Sequence, residues 1–71
     1  MDRVMRQRHL RLAKRQIVEV RTIIDRQRQI VAELEQGEHD TTVAQALLIL
    51  LEVTLRAQER DRDRLQADLS R

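Results

Sequence analysis

The sequence has no cysteine, no proline and no phenylalanine, tyrosine or tryptophan, and a single glycine in 71 residues. Each absence removes a class of protein. Without Cys there are no disulfides, and a structural zinc would have to rely on His9 and His39, which lie far apart in the chain. Without aromatic rings there is no platform on which single-stranded bases stack. Without proline, and with one glycine, the residues that punctuate sheets and loops are missing, so the chain reads as nearly all helix. The longest unbroken apolar run is Ala46 to Leu51, far short of the roughly 20 residues a membrane-spanning helix needs. Arg3, Arg6 and Arg8 are followed by no apolar core of the secretory kind. Together with the missing Cys, this leads us to expect a cytoplasmic protein with no transmembrane segment.

What is present is a seam. Leu10, Ala13, Ile17, Val20, Ile24, Gln27, Val31 and Leu34 recur at alternating spacings of three and four, and Gln27 is the only polar member. That repeat lets a long helix lie lengthwise along another helix. A chain this short buries only about 60% of its unfolded surface, and with disulfide and zinc set aside, oligomerisation is the device left to support it.

The first helix is expected over about residues 3–36, with Asp2 as its cap and Gly37 as its stop, through the left-handed conformation glycine tolerates. A turn over 37–40 leads to a second helix at about 41–69. Asp40 is the preferred cap there, and Thr42 with Gln45 an alternative capping box. So short a connection folds the helices back antiparallel. In the second helix Ala44, Leu48, Leu51, Leu55, Leu65 and Leu69 repeat the seam, with Gln58 and Arg62 in the same register. Between Val43 and Ala57, eleven of fifteen residues are apolar, more than one packing face absorbs. Leu47 and its neighbours, with Ile23 and Ile30 beside the first seam, therefore widen the interface. The expected fold is an all-α antiparallel two-helix hairpin that dimerises as a four-helix bundle or antiparallel coiled coil, with Ile49 and Val18 open to a further contact.

Charge is unevenly placed. Residues 1–28 hold nine Arg or Lys against three acids, and residues 29–71 hold five against nine. In an antiparallel hairpin the basic start of the first helix meets Glu59, Asp61, Asp63 and Asp68, so the two charge sets are expected to neutralise each other in part. The basic segment Arg3, Arg6, Arg8, Arg11, Lys14 and Arg15 is also the one nucleic-acid-binding candidate, through phosphate contacts alone. An anionic membrane would find only Val4, Met5, Leu10 and Leu12 to engage.

Catalysis has little to draw on. Ser70 is terminal, and Thr22, Thr41, Thr42 and Thr54 have no evident His partner. The cluster Glu35, Glu38, His39 and Asp40 has poor metal-ligand spacing and reads as a turn. We therefore expect no enzyme, no cofactor and no metal. The expected role is helical self-association or docking onto another helical protein, and the alternative is a nucleic-acid-binding adaptor.

Around the turn, Arg26-Gln27-Arg28, Ala32-Glu33-Leu34-Glu35, Gly37, His39-Asp40-Thr41, Ala44, Ala46-Leu47-Leu48, Glu52, Leu55 and Asp61-Arg62-Asp63-Arg64-Leu65 resemble a family of short bacterial helical-hairpin proteins of unknown function. The resemblance covers about half the chain and implies a natural bacterial hairpin, with no enzyme class or ligand. Ile49, Leu50 and Val53 are more apolar than the pattern of that family.

Overall fold

The computed structural model describes residues 2–71, and among these it holds two helices, α1 over Arg3–Gln36 and α2 over Thr42–Leu69. They run antiparallel as a rod of 53 × 15 × 14 Å. α1 begins where Asp2, in extended backbone, accepts the Met5 backbone N–H on its Oδ1 at 2.8 Å. That bond satisfies one of the donors a helix start leaves free.

The stop of α1 departs from the expectation. Gly37 keeps φ −82° and ψ 2°, and the left-handed residue is Glu38, at φ 58°. The Glu38 N–H donates to the Glu35 carbonyl at 3.1 Å and the His39 N–H to the Leu34 carbonyl at 2.8 Å. This paired closure is the Schellman arrangement, which places its left-handed residue one position beyond the glycine here. A Cβ at 37 would lie 2.7 Å from His39 Cδ2 and 3.0 Å from His39 Nε2, so a larger residue there would oblige the exposed His39 ring to turn aside. Glu38 instead carries the steric cost of its conformation, about 1 kcal/mol or more. Glu38→Gly is therefore expected to stabilise the hairpin by about 0.5 kcal/mol after glycine's larger unfolded-state entropy is set against it. Urea unfolding reads this as a higher midpoint at unchanged slope, and a lower midpoint would contradict it.

α2 starts one residue later than expected. Asp40 does not cap the helix but accepts both the Thr42 backbone N–H at 2.9 Å and the Thr42 hydroxyl at 2.7 Å. These two bonds, the hydroxyl first, hold the Asp40 carboxyl below its ordinary range. Thr41 occupies the cap position without a side-chain cap bond. Its hydroxyl instead accepts from Gln45 Nε2 at 3.0 Å.

Across the hairpin, Gln27 Nε2 donates to the Ala44 carbonyl at 2.9 Å and Arg3 Nη1 to the Leu69 carbonyl at 3.4 Å. These contacts fix the antiparallel register, setting Gln27 beside Ala44 and the start of α1 beside the end of α2. Leu10, Ile17, Ile24, Gln27 and Val31 are buried. On α2, Ala44, Leu48, Leu51, Leu55, Gln58, Arg62, Leu65 and Leu69 are half-buried and none is fully buried. One neighbouring helix covers one stripe, and α2 has no second neighbour.

Gln27 is only 7% exposed, and a buried amide tied to one carbonyl is a register device of the kind polar seam residues supply in coiled coils. Gln27→Leu is expected to raise the urea midpoint by about 1 kcal/mol of stability through added apolar burial, while allowing slipped pairings. A fall in the midpoint would show that the hydrogen bond is the stronger contribution.

Candidate functional site

Each helix position next to the seam falls on one of two flanks, and the two flanks differ in chemistry. On one, α1 carries Lys14, Arg21, Arg28 and Glu35 and α2 carries Gln45, Glu52, Glu59 and Gln66. Arg21 Nη2 donates to Glu59 Oε2 at 3.1 Å, and Gln45 Nε2 reaches Glu35 Oε1 at 3.5 Å. Basic α1 here faces acidic α2, and the flank is closed by its own polar groups. Its ion pair is solvent-exposed and contributes under about 1 kcal/mol.

The opposite flank changes character along the rod. Near the open end His9, Leu12, Ala13, Gln16, Gln58, Asp61 and Leu65 line a notch of about 220 Å³. It lies where Ala13 stands across from Gln58. Gln58 Oε1 is buried there and has no hydrogen-bond partner. Toward the turn the flank is apolar: Ile23, Ile30 and Leu47 lie on it, with Val43 and Leu50 one step outward. Ile30 is half-buried, whereas Ile23 is 51%, Leu47 45%, Leu50 61% and Val43 82% exposed. Ile23 and Leu47, expected at the helix-helix interface, thus stand outside the hairpin's own seam. Their helical phase turns them about one position past the plane in which the two helices meet. The outer faces add further exposed aliphatics, Val18 on α1 and Ile49 and Val53 on α2.

The expected meeting of opposite charges takes place at a single point. Among the described residues Arg21 to Glu59 is the only ion pair between the helices. The acids near the end of α2 pair locally, Asp63 with Arg62 at 2.9 Å and Asp61 with Arg64 at 4.0 Å. Arg3, Arg6, Arg8, Arg11, Lys14 and Arg15 form no direct ion pair with any described acid, so the expected meeting of these charges is not made through direct contacts. The physical reason is phase: Arg8, Arg11 and Arg15 stand on the outward, exposed side of α1, turned away from α2. Arg8, Arg11 and Arg15 gather with Leu12 around one shallow surface depression, while Arg6 lies in another with Leu65, Asp68 and Arg71.

No three His, Asp or Glu side chains among the described residues stand together as a metal-holding group. No described helix is long and apolar enough to cross a membrane. Sequence reasoning missed the Gln58 notch, although the small Ala13 in an otherwise bulky seam is the signal that marks it.

The geometry defines an all-α antiparallel helical hairpin with one apolar flank exposed. No family model, curated protein or solved structure matches the chain.

Proposed function

We propose that the chain is a non-enzymatic helical self-association module, and that the flank bearing Ile23, Ile30, Leu47 and Leu50 is covered by a second copy to make a four-helix bundle. The observation that carries the reading is surface area. The hairpin exposes 5641 Å², whereas a folded monomer of 8.5 kDa exposes about 4,700 Å². The excess of about 1,000 Å² is close to the roughly 800 Å² that each partner contributes to a standard interface. A second argument is chemical. The polar flank satisfies itself through Arg21, Glu59, Glu35 and Gln45, so a partner gains little there. The apolar flank has no such closure, and a second copy set against it across a two-fold axis would bring apolar side chains to apolar side chains.

Charge selects the overlap. A two-fold axis along the rod would set two basic α1 starts side by side, whereas overlap at the turn-proximal flank with the open ends pointing apart keeps them separate.

Thermal unfolding at two concentrations tests the reading. When folding is coupled to pairing, a hundredfold rise in concentration raises Tm by about 5 to 10 °C by mass action. A Tm independent of concentration would contradict it, and would direct attention to a different helical protein as the cover for this flank.

A further inference from the structure

Self-association leaves the start of α1 without a role, and that segment has its own pattern. From Arg3 to Val18 there are six cations and no acid, and none of the six has an ion-pair partner among the described residues. Arg8, Arg11 and Arg15 recur at three and four on the outward side of α1, around one depression, with Lys14 beside them. We propose that this stripe binds the phosphate backbone of a nucleic-acid duplex.

Spacing supports the assignment. Arg8 and Arg15 are two turns apart, a rise of about 10.5 Å, and over that length along a duplex axis each strand carries about three phosphates. All three residues of the stripe are arginine, whose planar fork binds a phosphate through two hydrogen bonds at once. The chain has no aromatic residue, so unpaired bases have nothing to stack on. A duplex presents its phosphates without that need.

A lipid surface fits the same stripe less well. Helices that lie in a membrane interface centre an apolar band and carry their cations at its edges. Here the exposed aliphatics form no such band: Val4 and Val18 stand at the two ends of the arginine stripe and only Leu12 lies beside it. The distance of the stripe from the apolar flank keeps the two surfaces independent, so binding is expected whether or not the chain pairs.

Fluorescence anisotropy with labelled duplexes of about 20 base pairs, one of DNA and one of RNA, tests this at low salt. Vesicles containing phosphatidylserine and a polyglutamate chain serve as competing anions. The expected result is binding to a duplex of either sugar that weakens linearly in log–log salt. The triple variant Arg8→Gln, Arg11→Gln, Arg15→Gln is expected to bind at least about tenfold more weakly, with a salt slope shallower by about 3, since each phosphate contact contributes about 0.9. Circular dichroism is expected to show unchanged helicity, because all three side chains are exposed. Three results would overturn the proposal: no duplex binding at about 50 mM salt, equal binding by the triple variant, or tighter binding to vesicles or polyglutamate than to either duplex.

Discussion

Replacing Leu47 and Leu50 together by Glu is expected to halve the mass of the particle in solution and leave its helix content unchanged. Both side chains are exposed in the isolated hairpin, at 45% and 61%, so the hairpin itself loses little packing when they change. Glu is nearly as good a helix former as Leu, and helix propensity therefore changes little. In a paired bundle the same two positions lie against a second copy. Four carboxylates would then be buried without partners, at several kcal/mol each, in place of apolar contacts worth about 1.5 to 3 kcal/mol per Leu. Light scattering beside circular dichroism separates the outcomes. An unchanged mass would remove this flank from the interface, and a loss of helicity would place these leucines inside the hairpin's own support.

Ile17→Asp is expected to unfold the chain at 25 °C. Ile17 is 2% exposed, as enclosed as Ile24. Truncating such a residue costs about 2 to 5 kcal/mol, and an unpaired buried charge adds several more. A domain of this length is stable by only about 4 to 10 kcal/mol, so the substitution exceeds or exhausts that margin. The neighbouring Val18→Asp is the control. Val18 is 62% exposed, and a charge there is expected to change stability by no more than about 0.5 kcal/mol. Ile17→Val, at about 1 kcal/mol, is expected to remain folded with a slightly lower urea midpoint. If Ile17→Asp and Val18→Asp behave alike, the seam is phased wrongly.

That phase was legible in the sequence, because burial along a helix follows its period. Leu10, Ile17, Ile24 and Val31 recur every seven residues, and these same four, with Gln27, are the buried residues of α1. Even Gln58 and Arg62 keep the register on α2, because pairing geometry constrains position more tightly than it constrains chemistry. The turn was less legible. The only glycine pointed to residue 37 as the left-handed position, yet Glu38 takes it, because two carbonyls at the end of α1 are closed one residue later and the His39 ring fills the space over Gly37. The same local competition displaced the cap of α2, since Thr42 binds the Asp40 carboxylate through both hydroxyl and backbone.

Charge was least legible. The segregation of cations and acids along the sequence suggested broad pairing across the hairpin, but exposed charges compete with water and with nearer partners, and Asp61 and Asp63 are met by Arg64 and Arg62 on their own helix. The sequence pattern also showed an excess of apolar residues around Leu47 without showing which side would stay open. The contact of Arg21 with Glu59 identifies the polar flank, and the apolar flank is the other one.

Sedimentation equilibrium of the unsubstituted chain over a hundredfold range of concentration tests the central claim most directly, since that claim is that a second copy covers the flank of Ile23, Ile30, Leu47 and Leu50. The account predicts the mass of two chains through the upper part of the range, with dissociation confined to the most dilute samples. A well-folded single chain of 8.5 kDa at every concentration would contradict it.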